Sequence, residues 1–333
     1  MLALNELSSC RKAWLVTGAA GFIGSHLLET LLKNDQQVIG LDNFLTGKRQ
    51  NIGDVLAHLP KEKTKKFTFV EGDIRDFKLC SEVTKGVDYV LHQAALGSIP
   101  HSLKDPMTTH EINVTGFLNL LHAAEQNKVS RFVYASSSAV YGDSQELPKI
   151  EERLGDLLSP YATSKRVNEL YGKMFHHCYN MPTIGLRYFN VFGPRQDPES
   201  MYAAVIPLWL RSLLKCQPCY INGDGLNSRD FCYVDNIVQA NIKAALTQNS
   251  QSYGEIFNIA FGKRINLLDL YSLIKESLGI YENIQPIHRE KRPGDIVHSL
   301  ANIDKAKDFL GYNPLYSLED GLKITAERVN QFC

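Results

Sequence analysis

The chain alternates short apolar runs with longer stretches whose apolar residues recur three and four apart. The first run, AWLVT at residues 13–17, ends directly in GAAGFIGSHLLETLLKN, where Phe22, Ile23, Leu27, Leu28, Leu31 and Leu32 fall at helical spacing. A second run, QVIGLD, follows. Strand, glycine turn, helix and strand predict a βαβ unit, whose crossover makes the strands parallel. Further strand candidates recur as FTFVEGD, VDYVLHQ, RFVYASS and TIGLRYF, with helical stretches between them. This alternation predicts an α/β fold, a doubly wound parallel sheet covered on both faces. No internal repeat, low-complexity tract or linker-like composition divides the chain.

At 333 residues the chain is long for one simple core, so two lobes, or one domain with a large extension, are expected. Apolar residues make up 44% and charged residues 22%, as in a soluble globular protein. Lys+Arg and Asp+Glu both total 36, a formal net charge of +0, which gives no support for a nucleic-acid or membrane-surface role. No apolar run approaches the roughly 20 residues of a spanning helix. The start, MLALNELSSCRK, lacks the basic and long apolar segments of a signal peptide, so the cytoplasm is the expected compartment. The 7 cysteines are scattered, which suits reduced thiols. Cys216 and Cys219 form a CxxC without a second pair at similar spacing, so two unrelated thiols are expected and no metal.

Gly18, Gly21 and Gly24 lie in the first turn as GxxGxxG. With a strand before, a helix after and Asp42 closing the next strand, the context is that of a dinucleotide fingerprint. Such glycines let backbone amides and a helix N-terminus approach a pyrophosphate. Asp42 is suited to accept from a ribose diol and to repel a 2′-phosphate, which favours NAD over NADP. Asp73 ends the third strand candidate, where it and Ile74 are either an adenine-edge contact or, for the carboxylate, a solvated strand end. His92 has no partner at metal-ligand spacing and is expected to pack in the core. The small residues of AALGS, 94–98, suit a backbone passing close to a cofactor.

After the fifth strand candidate comes YASSSAVYG, 134–142, and then SPYATSK, 159–165. Alone, a serine cluster is a turn, and Tyr161 with Lys165 is one helical face. Behind a dinucleotide fingerprint their coincidence is specific. From Trp14 to about Gly321 the chain resembles the extended short-chain dehydrogenase/reductases with a Rossmann fold, and within them the nucleotide-sugar 4-epimerases. The resemblance runs through GAAGFIGSHL, LDNF, GDIRD, HQAA, SSSAVYG, SPYATSK, LRYFNVFGPRQ, SRDFCYVDN and RPGDI. ALGS and YINGDG are similar to the bacterial branch acting on UDP-N-acetylhexosamines.

The resemblance implies a transient oxidation at sugar C4 with tightly bound NAD. Tyr161 would take the O4 proton as a phenolate. A tyrosine titrates near ~10 unperturbed, so Lys165 and an oxidised nicotinamide would have to lower it. Ser137 would bridge to O4, ahead of its neighbours Ser136 and Ser138. Cofactor contacts would come from Gly18, Gly21, Phe22, Ile23 and Gly24, from Asp42, Asn43, Asp73 and Ile74, and from Gln93, Ala95, Tyr161 and Lys165. Substrate contacts would come from Ser98, Ser137, Asn190, Val205, Tyr220 and Asn222. Arg229 and Arg292 suit the diphosphate, because guanidinium groups bind phosphate oxygens in a fork, and Asp295 suits the uridine ribose.

Four residues after Asp295 the family has a side chain bordering the sugar C2 substituent. It is a tyrosine in epimerases restricted to UDP-glucose and UDP-galactose, and here it is Ser299. UDP-GlcNAc and UDP-GalNAc, or their uronic acids, are therefore the expected substrates. The other role open to Ser299, capping the next helix, falls better to Asn302. A 4,6-dehydratase of this fold carries an Asp-Glu pair after its catalytic hydroxyl, where this chain has Ser138 and Ala139. A uronate decarboxylase has glutamate at the position of Ala139. A silent NAD-sensing protein would have no use for the trio. The expected lobes are 1–189 with about 231–258 for NAD, and about 190–230 with 259–333 as a smaller α/β C-terminal domain for the UDP-sugar. A homodimer through first-lobe helices is the family's usual state.

Overall fold

The computed structural model describes residues 7, 11–199, 204–291 and 297–330. Its centre is a 7-stranded sheet: β1 (Ala13–Thr17), β2 (Gln37–Asp42), β3 (Phe67–Glu71), β4 (Tyr89–His92), β5 (Arg131–Ser137), β6 (Thr183–Tyr188) and β7 (Glu255–Ile259). The spatial order is β7-β6-β5-β4-β1-β2-β3, and every pair is parallel. The doubly wound sheet expected from the alternation is therefore present. Its seventh strand, EIFNI, went unnoticed in the pattern.

Alternate residues of the strands feed opposite faces, as the pleat requires. Trp14, Val16, Leu91 and Val133 face one apolar cluster, together with Leu27, Leu28, Leu31 and Leu32 of α1 (Phe22–Lys33). Leu15, Val90, Phe132 and Tyr134 face the other, with Phe117, Leu120 and Leu121 of α2 (Phe117–Gln126) and Phe175 of α3 (Pro160–Tyr179). Truncating one fully buried leucine such as Leu28 to alanine would cost about 2–5 kcal/mol. The 20-residue α3 begins at a Ser159 cap that accepts from Ala162 N at 3.1 Å, with Pro160 in its first turn. It ends at Asn180, which takes the left-handed conformation.

Between β6 and β7 the chain leaves the sheet. It builds α4 (Val205–Leu214), returns through α5 (Val234–Leu246) on the first face, and rejoins as β7 beside β6. Ile206, Trp209 and Leu210 of α4 pack with Tyr271, Ile274 and Leu322 in a third cluster. Short strand pairs flank it: Tyr220–Asn222 with Ile287–Arg289, and Ser228–Arg229 with Ile265–Asn266. β1 is bracketed by β2 and β4, so the strand order reverses there, and the crevice beyond the carboxyl ends is where such sheets bind ligands.

Candidate active site

At that reversal the turn after β1 is made by glycines for steric reasons. Gly18 has φ +68°, and a Cβ on Gly24 would lie 2.0 Å from the Gly18 carbonyl oxygen. Gly21 enters α1 with no side-chain cap and no acidic residue follows in the first turn, so the helix N-terminus is open to an anion. Asp42 accepts from Ala20 N at 2.9 Å and Phe44 N at 2.8 Å. Burial raises its pKa nonetheless. Asp73 is committed to Arg75 at 2.8 Å and to Asn43 Nδ2 at 2.9 Å, and the Arg75 hydrogen bond holds its carboxyl low.

Gly18, Gly21, Gly24, Asp42, Asn43 and Asp73 line one cavity of about 330 Å³, with Phe22, Ile23, Ile74, Gln93, Ala95, Tyr161 and Lys165 also in its wall. Thus every residue expected to hold the cofactor borders a single space. Among them, the fixed N-terminus of α1 and the carboxylate of Asp42 are what a dinucleotide's diphosphate and ribose require.

Tyr161 sits in the first turn of α3, and Lys165 is one turn further on the same face. Ser137 ends β5 with its hydroxyl accepting from Ala139 N at 3.1 Å, and its influence lowers the pKa of the Tyr161 phenol against the stronger upward push of burial. The Lys165 ammonium donates instead to the Ala135 carbonyl at 2.9 Å. Burial pushes its pKa down to about 8. In the chain without its cofactor, burial and the Ser137 hydroxyl are the influences acting on the phenol. The three adjacent serines have different surroundings, and Ser136 is the one that borders the NAD-side cavity. Ser136 donates to Glu169 at 2.6 Å, beneath the Glu169–Arg187 pair at 2.7 Å, while Ser138 turns toward a smaller cavity.

That smaller cavity, of about 50 Å³, joins Ser138 to Asn190, Arg229 and Ser299. A third, of about 270 Å³, is walled by Asn190, Val205, Tyr220, Asn222 and Arg229. Asn190 takes φ +32° and donates to the Asp230 carbonyl at 3.0 Å. Arg229 donates to the Ser228 and Val297 carbonyls at 3.0 and 3.2 Å. Ser299 is 8% exposed; against expectation neither it nor Asn302 caps the helix Asp304–Leu310, whose N-cap is Ile303 without a side-chain cap, and Asn302 Oδ1 accepts from Asp304 N at 2.8 Å in the turn before it. Ser98 does not join the others: it caps the helix Ile99–Lys104 by accepting from His101 N at 3.1 Å, and lines none of these cavities. Arg292 and Asp295 lie outside the described residues.

Residues 14–260 match the NAD dependent epimerase/dehydratase family. The chain belongs to that family. NAD is accordingly its cofactor, in agreement with the glycine turn and Asp42. A putative UDP-glucose 4-epimerase of Methanocaldococcus jannaschii is 38% identical over 93% of this chain and 95% of its own length. The solved UDP-N-acetylglucosamine 4-epimerase of Methanobrevibacter ruminantium M1, in complex with UDP-N-acetylmuramic acid, is 37% identical with a TM-score of 0.89, covering 97% of this chain and 99% of that one. UDP-glucuronic acid 4-epimerase of Bacillus cereus, solved with UDP-glucuronic acid and NAD, is 32% identical with a TM-score of 0.86, covering 96% and 100%.

Several residues of this family member escaped the sequence reading. Asn113 exchanges hydrogen bonds with the Leu96 backbone at 2.8 and 3.0 Å and donates to Ser164 Oγ at 3.1 Å, tying the AALGS segment to α3. Tyr188, at the end of β6, also lines the NAD-side cavity. His92 is packed as expected: its Nδ1 meets Thr17 Oγ1 at 2.8 Å and burial pushes its pKa down to about 3. Cys219 is buried and Cys216 exposed.

Proposed function

We propose that the chain interconverts UDP-N-acetylglucosamine and UDP-N-acetylgalactosamine at C4, with unacetylated UDP-hexoses as slower substrates. Bound NAD supplies the acceptor, and then the donor, of the C4 hydride and is regenerated within each turnover. The chain's own residues manage the proton and the orientation. Tyr161 takes the proton from O4, and Ser137, whose hydroxyl acts on the phenol, relays between the two oxygens. Lys165, anchored to Ala135, would hold the nicotinamide ribose when NAD is bound. Asn190 and Arg229 stand between the two substrate-side cavities and suit the diphosphate. The keto sugar then turns over to present its other face.

The observation that carries the substrate choice is Ser299, a small side chain in the wall of the small cavity beside Ser138. A tyrosine there would fill the space an acetamido group needs. Ser138 and Ala139 also leave a dehydratase without its acid and base. In this reading residues 1–189 with about 231–258 hold NAD, while 190–230 with 259–333 hold the sugar nucleotide. The exposed Leu170 of α3, 54% accessible, with Leu103 and Met107 nearby on shorter helices, suits a homodimer. Incubating the purified protein with UDP-N-acetylglucosamine and no added NAD should yield UDP-N-acetylgalactosamine. Unchanged substrate overturns the proposal.

A further inference from the structure

The small cavity contains one side chain that the reading above leaves without a task. Lys149 is 5% exposed and lines that cavity together with Ser138, Asn190, Arg229 and Ser299. Its ammonium has three N–H donors. It spends one on the Ser144 carbonyl and lies 5.9 Å from the Tyr141 ring centroid. Among the described residues it forms no ion pair with a carboxylate, and Asp143 and Glu146 act on it only at longer range. A buried cation with unspent donors is costly, and an apolar side chain of similar length would fill the same volume without that cost.

The backbone around it fixes where that side chain begins. Lys149 N donates to the Leu300 carbonyl at 2.7 Å, and its own carbonyl accepts from Asn302 N at 2.9 Å. Asn258 Nδ2 donates to the same carbonyl at 3.0 Å. The segment carrying Ser299 and the main chain of Lys149 are therefore held in one register, and both side chains line the small cavity. A cavity of about 50 Å³ admits a small substituent and excludes a ring; one water needs roughly 10–15 Å³ by this measure.

We infer that Lys149 is a specificity-determining residue whose ammonium donates to the acetamido carbonyl oxygen on C2 of the sugar. The inference rests on the proposed function, in which the Ser299 cavity receives that substituent. Ser299 supplies room and Lys149 supplies attraction. A site built around a hydrogen-bond donor discriminates against an analogue without the acceptor, because the donor is then left buried and unanswered.

The test compares kcat/KM on UDP-N-acetylglucosamine, UDP-glucose and UDP-glucuronate for the wild type, Lys149→Met and Lys149→Gln, with released NAD measured as a check on folding. Lys149→Met should lower the value for the acetylated sugar roughly 10- to 100-fold and leave UDP-glucose unchanged. Lys149→Gln, which keeps an N–H donor, should recover part of the loss and covers the case in which Lys149→Met fails to fold. An equal fall on all three substrates would make Lys149 a structural residue and overturn the inference alone. A fall confined to UDP-glucuronate would assign the ammonium to a C6 carboxylate and overturn it as well. A wild type that turns over UDP-glucose but no acetylated sugar would overturn the proposed function, and this inference with it.

Discussion

Lys165 and Ala135 are joined by a 2.9 Å hydrogen bond that ties α3 to the last turn-ward residues of β5. Lys165 and Tyr161 both line the NAD-side cavity. Burial dominates both groups, pushing the phenol up and the ammonium down to about 8.

Replacing Tyr161 with Phe keeps the ring and removes the proton acceptor. Turnover should fall by roughly 10²- to 10⁴-fold, while UDP-sugar affinity in calorimetry stays the same, as for a group acting in the transition state. Near-normal turnover would mean that another residue is the base.

Protein purified without added nucleotide should already carry NAD, and heat denaturation followed by chromatography should release it. Asp42→Ser should admit NADP, because the carboxylate that repels a 2′-phosphate is gone. Release of NADP from the wild type would contradict the role given to Asp42.

Gly24→Ala sets a methyl 2.0 Å from the Gly18 carbonyl oxygen, a backbone atom that cannot move without opening the turn. The cost should reach or exceed the usual overpacking penalty of about 1–3 kcal/mol. Thermal melts should show a lowered Tm, and bound nucleotide should fall together with it. Full NAD occupancy in this variant would show that the turn can relax.

Ser299→Tyr should collapse turnover of UDP-N-acetylglucosamine and UDP-N-acetylgalactosamine while UDP-glucose and UDP-galactose turnover survives. Equal losses on both classes would remove the steric basis of the substrate assignment.

Asp230 is fully buried and accepts from Phe261 N, Gly262 N and Ala301 N at 3.1–3.2 Å. Burial outweighs these donors and pushes its carboxyl up to about 7 from 3.8. Between those pH values the folded chain keeps a proton that the unfolded chain has lost, so this group's contribution to stability declines as pH rises from about 4 to 7. Denaturant melts should show the advantage of wild type over Asp230→Asn shrinking through that window, by on the order of a few kcal/mol. A growing advantage would mean that the three amides win and the carboxylate is ionised.

The sheet was legible because each of β1 to β6 is an apolar run bounded by a turn or a helix. β7 was not, since EIFNI is short and follows an excursion that hides its partner. Tyr161 and Lys165 were legible because one helical turn separates them. The choice among Ser136, Ser137 and Ser138 was open in the sequence: adjacent residues at a strand end face different surroundings, and only the fold reveals that Glu169 claims Ser136. Asn113 and Lys149 carry no local signal at all. Their roles depend on Leu96 and Ser164 in one case and on the segment around Ser299 in the other.

The late return of β7 has a consequence for how the chain is made. β6 is buried along its whole length, and the partner for its outer edge, from the Ile184–Glu255 pair onward, is translated only after α4 and α5. On the ribosome, that central apolar strand waits with one row of backbone amides and carbonyls unpaired, the condition under which edges join those of other chains. Chains cut short before Glu255 should therefore collect in aggregates, even though every residue of the glycine turn and of the Ser137, Tyr161 and Lys165 trio has already been synthesised.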